Sequence, residues 1–251
     1  MSSLWFVVPA HGRVDLARIC LAQLRNTCDQ LAVSGIDASA VVIADDENLD
    51  TAACLGFWGY EQENSFLGRK FNDGYELAAR EGVDYVVPLG SDDWVHPDLV
   101  AGADLPQGRI RCARRLVMVS EDGQEFVRLS VAYEGGMGIR VTPTELLAPL
   151  GYRPCGEDRK RAIDTHTLRA LTTAHRDKPQ LLEYFDAHEW QLVDFKTPSA
   201  NLNTWAMCTT SHPNAQTSLL HEGIEKDPWP SLEEHYPVTS VIEMQAFYEA
   251  S

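Results

Sequence analysis

The N-terminal part of the chain confines it to few folds. Three short apolar runs, Leu4–Pro9, Val41–Ala44 and Val83–Leu89, alternate with segments whose apolar residues recur at helical spacing. In Val14–Val33 the residues Ala17, Leu21, Leu24, Cys28 and Leu31 step by four and three along one helical face. In Arg69–Glu81, Phe71, Tyr75 and Ala78 share a side, and Gly82 supplies a C-terminal stop. The apolar runs are continuous, not alternating, as in strands covered on both faces. Strand, helix, strand, helix, strand in that order predicts a parallel α/β sheet.

The pattern changes after Pro106. Ile110–Ser120 and Glu125–Tyr133 read as two strands joined through Asp122-Gly123, a hairpin signal. A glycine-rich loop, Gly135-Gly136-Met137-Gly138, follows. Thr142-Pro143-Thr144-Glu145 then carries a cap, a first-turn proline and a capping-box acid, with Gly151 as the stop. Ile163 onward reads as helix to about Ala174, and Gln191–Phe195 as a last strand. No linker separates two cores. The reading is one mixed α/β domain over residues 1–210, in halves 1–104 and 105–210. Residues 211–251 form a C-terminal extension rich in Pro, Trp and acid, to which no element is assigned.

Charge narrows the partners. The formal net charge is −16, which argues against broad binding of a phosphate backbone. It is uneven: residues 1–104 carry 6 basic and 17 acidic side chains, 105–180 carry 13 and 9, and 181–251 carry 2 and 11. The basic middle segment suits either an anionic ligand or a solvated surface. The 6 cysteines are widely spaced with no C-x-x-C pair, so neither a zinc site nor a disulfide framework is expected. The N-terminus lacks the basic region and long apolar core of a signal peptide, and no apolar run approaches the length of a membrane span. A reducing cytoplasm is the expected compartment. No G-x-x-x-x-G-K-[ST], no G-x-G-x-x-G after the first strand, no H-E-x-x-H and no G-x-S-x-G occurs.

The chemistry-bearing residues cluster by position. The three expected parallel strands end in His11-Gly12-Arg13, in Asp45-Asp46-Glu47-Asn48 and in Ser91-Asp92-Asp93. Ligands of open α/β sheets bind outside the carboxyl ends of the strands, so these tips are candidates for one crevice. The plainer alternative is that wet loops end every strand. Asp92 and Asp93 would repel each other in a closed site, and a hard divalent cation would remove that cost. Mg²⁺ typically keeps waters and takes one or two carboxylates plus substrate phosphates, which suits a nucleotide diphosphate. Two exposed loop acids are the alternative for the pair.

In order and spacing these pieces resemble the first half of a GT-A glycosyltransferase of the family 2 type. Pro9-Ala10-His11-Gly12-Arg13 is similar to the P-x-Y-N-R-like turn of that family. Asp45-Asp46-Glu47-Asn48-Leu49-Asp50 is similar to its D-D-G-S-x-D. Leu89-Gly90-Ser91-Asp92-Asp93-Trp94-Val95-His96-Pro97-Asp98-Leu99 is similar to its L-D-S-D-D-W-x-x-P-x-L. Gly90 stands where the first acid of the D-x-D triplet is common, and Glu47 where a glycine lies beside the nucleotide base. The resemblance implies a GT-A fold, a mixed sheet flanked by helices, with residues 1–104 as the nucleotide-binding half and 105–210 as the acceptor half. It implies a nucleotide-diphospho-sugar donor and a divalent metal, Mn²⁺ or Mg²⁺, on Asp92, alone or with Asp93. Asp45 would contact the base. Pro9, His11, Asp46 and Ser91 fall among the donor-binding positions, and Arg13, Arg69 and Lys70 lie near the diphosphate, where cations offset the leaving charge. For Arg69 and Lys70 a solvated first helical turn is an equal alternative.

In the second half the resemblance implies a glycine-rich acceptor segment, matched by Gly136-Met137-Gly138-Ile139-Arg140, and an E-D pair supplying a catalytic base. Asp164 is the choice for that base, with Ile163 where the Glu is common and Glu157-Asp158 as the competing pair. Asp164 is also a favoured N-cap residue, and the roles are compatible. Lys196 stands about where the family has a late metal-binding His and is assigned a phosphate contact. His188, His212 and His221 are alternatives, and Asn201 and Asn203 are possible helpers.

The resulting expectation is an inverting, metal-dependent glycosyltransferase acting on an acceptor hydroxyl of a sugar, lipid, protein or hydroxymethylated DNA base. The last is the substrate of similar bacteriophage enzymes, whose compartment would be the host cytoplasm. Two rivals remain at this point. One is a nucleotide- or sugar-binding module without catalysis, which Gly90 and Ile163 favour. The other is a nucleotidyltransferase, although that class opens with a Gly-rich Arg/Lys loop absent from Pro9–Arg13.

Overall fold

The computed structural model describes residues 1–45, 47–63, 66–95, 97, 100, 105–119, 125–131, 139–158, 163–191, 219–226, 233 and 236–250. For 113–119, 125–131, 164–165, 184–191, 219–226 and 248 it describes the backbone alone. The expected βα alternation is present: β1 Ser2–Pro9, α1 Val14–Val33, β2 Ile36–Ala44, α2 Asn48–Cys54, β3 Trp58–Glu61, α3 Leu67–Arg80 and β4 Tyr85–Pro88. Strands β3, β2, β1 and β4 lie side by side, all parallel. Their carboxyl ends therefore share one edge, which carries the polar tips read from the sequence.

The rest of the sheet is mostly antiparallel. Strand β8 (Arg140–Pro143) pairs with β4, and β6 (Ile110–Val119) with β8. Strand β7 (Glu125–Val131) pairs with β6, and β10 (Leu219–Lys226) with β7. Strand β9 (Leu182–Gln191) runs parallel to β6 and antiparallel to the short β5 (Asp93–Val95). Among the described residues ten strands thus form one connected mixed sheet. The reading of an α/β, GT-A-type mixed sheet flanked by helices stands.

The period of two along β1 explains its composition. Leu4, Phe6 and Val8 pack with Leu21, Leu24, Cys28 and Leu31 of α1. Trp5 and Val7 face the other way, toward Phe71, Tyr75 and Ala78 of α3, with Val41 and Ile43 of β2 beside them. Both faces are covered, so every position from Leu4 to Val8 is apolar. Helix α3 approaches closely at Gly74, where a Cβ would collide with Val7 Cγ1 and stand 2.9 Å from Ile43 Cδ1.

Several boundaries differ from the expectation. The Thr142-Pro143 cap is not one: both residues belong to β8, where Thr142 pairs with Val86 and Pro143 with Tyr85. The following helix is a 3₁₀ segment, Thr144–Leu150, with Pro143 before it, no side-chain cap and a left-handed Gly151 after it. Helix α4 spans Ile163–Ala174, as read. Strand β9 reaches Gln191, the first residue of the strand expected at Gln191–Phe195, and residues 192–195 lie outside the described residues. The Asp122-Gly123 turn and the 135–138 loop lie outside the described residues.

The C-terminal residues join the same body. Strand β10 extends the sheet, and helix α5 (Val238–Ala250) covers α1. Val241 and Met244 pack with Leu16, Ile19 and Cys20 of α1, Trp94 of β5 and Tyr236. Trp94 meets Tyr236 edge-on at 4.9 Å, and Asn26 donates to Ser240 Oγ at 3.3 Å. Among the described residues no helix is long and apolar enough to cross a membrane. Burial pushes the Cys28 thiol up to about 12 and the Cys20 thiol well up.

Candidate functional site

The turn between β1 and α1 organises the polar edge. Gly12 has φ +60°, and Arg13 follows with φ 43° and ψ 43°. A left-handed residue other than glycine costs about 1–2 kcal/mol, so its surroundings must hold it. Four elements do so. Asn48, fully buried at the start of α2, donates from Nδ2 to Gly12 O at 3.3 Å. Lys70 of α3, only 3% exposed, donates from Nζ to Ala10 O at 3.1 Å. His11 Nδ1 lies 3.0 Å from Asp45 Oδ1 beyond β2. Arg13 donates to Asp92 Oδ2 at 2.9 Å, in the loop after β4. The acidic tips of two strands are thereby bound to residues two apart in a single turn.

A cleft of about 250 Å³ opens beside this turn. Its wall comes from the end of β1 (Pro9, Ala10, His11, Arg13), the first turns of α3 (Leu67, Lys70, Phe71) and the loop after β4 (Gly90, Ser91, Asp92). Of the residues singled out from the sequence, Pro9, His11, Arg13, Lys70, Ser91 and Asp92 share it, and Asp45 adjoins it through His11. Arg69 and Lys70 part company: one step along a helix turns a side chain by roughly 100°. Lys70 enters the wall, whereas Arg69 is exposed with Nε 3.5 Å from Glu157 Oε2. Asp93 belongs to β5, and its Oδ2 accepts from the Gly90 N–H at 3.1 Å. Asp46 and Lys196 lie outside the described residues, as do His212, Asn201 and Asn203. Asp164 sits within α4, not ahead of it, and Ile163 beside it is buried in the cluster that contains Phe71.

Sequence reasoning missed a second polar cluster. Asn72, fully buried on α3, pairs through both side-chain atoms with the backbone of Cys155, each bond 2.9 Å. It also donates to Glu157 at 3.0 Å. Arg153 reaches Asp73 at 2.8 Å, Glu76 at 2.8 Å and Glu157 at 2.7 Å. Hydrogen bonding to Arg153 holds the Glu157 carboxyl below its ordinary 4.5 and does the same for Glu76. A carboxyl depressed in the folded state stabilises that state above its unfolded value, and the contribution is lost as pH falls through the folded value. Wild type and Arg153→Met should therefore differ in melting temperature at neutral pH and converge as the pH falls below 4.5 through the lowered carboxyls, as thermal melts across that range would read. Of this cluster the sequence had offered Glu157, in the competing base pair, and the helical spacing of Asp73 and Glu76 is the signal for the rest.

The divalent cation implied by the resemblance would be held at Asp92. Among the described residues Asp92 is the one carboxylate in the cleft wall, and the Arg13 guanidinium donates to its Oδ2. Asp93 is committed to the Gly90 amide. At position 90, a Cβ would meet Asp93 Oδ2 and stand 2.9 Å from Asp92 Oδ1, both movable ends of side chains. Among the described residues no three His, Cys, Asp or Glu side chains converge as a metal site. Since Mg²⁺ takes one or two carboxylates plus substrate phosphates, Asp92 would hold such an ion beside a bound diphosphate, and no step below is routed through one.

No family model matches the sequence, and no curated protein matches it. Solved structures do. TarS 1–349 of S. aureus superposes with a TM-score of 0.55 at 16% identity, over 76% of this chain and 60% of that one. The same protein in complex with UDP gives 0.51 at 15% identity, over 86% and 68%. The chain thus spans about three fifths of the first TarS structure. Looser likeness, at 0.45 and 11% identity, reaches a Drosophila β1,4-galactosyltransferase 7 mutant in complex with manganese, UDP-Gal and xylobiose, over 73% of this chain and 65% of that one. A CMP:2-keto-3-deoxy-manno-octonic acid synthetase complexed with CTP gives 0.48 at 14%, over 84% and 100%. At such identities the likeness to TarS is one of fold, and the chain has the α/β, GT-A-like fold that the family resemblance implied.

Proposed function

We propose that the protein transfers a sugar from a nucleotide-diphospho-sugar to an acceptor hydroxyl. The observation that carries this reading is the β1–α1 turn, which ties Asp45 and Asp92 to His11 and Arg13 at the rim of one cleft. The buried Lys70 in the wall of that cleft suits an anionic ligand, and TarS, which shares the fold, has been solved with UDP. In this reading Asp45, positioned by His11, meets the nucleotide's base, while Arg13 and Lys70 meet its diphosphate.

The reaction is a single displacement with inversion. Asp164 takes the proton of the acceptor hydroxyl, whose oxygen forms a bond to the anomeric carbon. The bond from that carbon to the diphosphate oxygen breaks, and its electron pair leaves with the nucleoside diphosphate. Arg13 and Lys70 offset the charge that builds on the leaving oxygen. Glu157 is the poorer base, because a carboxylate held ionised by Arg153 has little pull on a proton.

A panel of nucleotide sugars tests the reading. One nucleotide class should raise the melting temperature, since a ligand that binds only the native state stabilises it. The same donor should yield a glycosylated product by mass spectrometry. Pyrophosphate release from a nucleoside triphosphate and a sugar phosphate, with no glycosyl transfer, would make the protein a nucleotidyltransferase instead.

A further inference from the structure

We infer that Trp58 and Tyr60 of β3 form a platform for a neutral saccharide chain, the acceptor in the transfer reading above. In naming the acceptor the inference rests on that reading; the binding surface itself does not. The register places both rings. Trp58 pairs with Val41 and Tyr60 with Ile43, and these two β2 residues pack on the α3 side of the sheet. Trp58 and Tyr60 therefore stand on that same side, two residues or roughly 6.5 Å apart along the edge strand. Trp58 is 50% exposed and Tyr60 41%. Trp5, itself buried, meets the Trp58 ring with centroids 5.3 Å apart and planes tilted by 41°, so the exposed indole has a fixed support. The strip leads toward the cleft. Tyr60 lies in the carboxyl half of β3, at the edge on which the cleft opens, and the chain then reaches Leu67, which stands in the cleft wall and is 36% exposed.

Size and charge select the occupant. The exposed parts of Trp58, Tyr60 and Leu67 amount to roughly 250 Å², against roughly 800 Å² per partner in a stable protein interface. A second copy or a folded partner would need far more surface. The bases of a nucleic acid would stack on such rings, but its phosphates would meet a chain of net charge −16, with Glu61 and Glu63 exposed close by in sequence. An uncharged saccharide meets neither objection. The C–H face of a sugar ring lies flat on an aromatic ring, while the polar tips of indole and phenol suit its hydroxyls. Two rings at this spacing take neighbouring units of one chain, so the site favours an oligosaccharide over a free sugar.

Native affinity electrophoresis of the full chain, without nucleotide, through gels holding starch, dextran, galactomannan or hydroxyethylcellulose tests the inference. At least one polymer should retard the wild type, and titration with the matching hexasaccharide gives the affinity. Trp58→Ala and Tyr60→Ala should each weaken it about tenfold, since losing roughly 60 Å² of apolar contact is worth that much. Trp58→Phe should keep most of it. The rise in melting temperature with nucleotide sugar should be unchanged in all three variants. Tyr60→Ala decides the matter if Trp58→Ala, which also removes the contact to Trp5, does not fold. No retardation by any of these polymers, or wild-type affinity in the alanine variants, overturns the inference. So does a concentration-dependent dimer in sedimentation that Trp58→Ala abolishes, which would make the strip an interface between copies. Saccharide binding by a protein that no nucleotide sugar stabilises would overturn the transfer reading alone and leave the platform standing.

Discussion

Asp164→Asn is expected to lower turnover by about 10²–10⁴-fold, the usual contribution of a positioned general base. The substitution preserves shape and removes only the ability to accept a proton at that carboxyl. Helix α4 is anchored by Ile163, Leu168 and Leu171, all buried, so the fold should survive. Donor binding should survive too, because the proposed diphosphate contacts come from the β1–α1 turn and α3. Steady-state turnover beside calorimetric affinity separates the two effects. Wild-type turnover in the variant would reject Asp164 as the base. If Asp158→Asn lost activity instead, the base would be the neighbouring acid of the competing pair.

The second large effect concerns stability. Trp94 is 1% exposed and joins α1, β5 and the C-terminal residues in one cluster. Removing a buried indole costs about 3–5 kcal/mol, from lost transfer energy and the cavity left behind. In a chain of this size each kcal/mol shifts the midpoint by roughly 2–4 °C, so Trp94→Ala should melt about 10 °C lower. Trp94→Phe should recover part of the loss. Because Trp94 follows Asp92 and Asp93 directly, Trp94→Ala should also weaken nucleotide capture. An unchanged melting curve would show that the cluster adds little to stability.

What the sequence made legible follows from where each segment's partners lie. Strands β1, β2 and β4 are buried on both faces, and a continuous apolar run has few other readings. Strand β3, Trp58-Gly59-Tyr60-Glu61, is an exposed edge of four residues and carries no such run. Strand β9 contains Glu183, Asp186, His188 and Glu189, and its pairing with β6 and β5 is remote in sequence. Local chemistry marked Thr142 and Pro143 as a helix start, yet pairing with β4 claimed them first, a tertiary effect that propensity does not contain. In the site, residues at strand ends could be found because topology alone brings such ends together. Asn72 and Arg153 could not, since each acts through a partner on another element. Nor could the sequence choose between Arg69 and Lys70, whose fates depend on how α3 is rotated against the sheet.

The covering of α1 by α5 has a consequence for synthesis. Asn26 and Ser240, which bond in the finished molecule, are separated by 214 positions. While the intervening chain is being made, Leu16, Ile19 and Cys20 form an apolar stripe that awaits its permanent cover. Contacts so distant in sequence slow folding, because the loop between them must close before they are rewarded. The nascent protein thus passes through a sticky interval in which its first helix is exposed to chaperones and to other copies of itself.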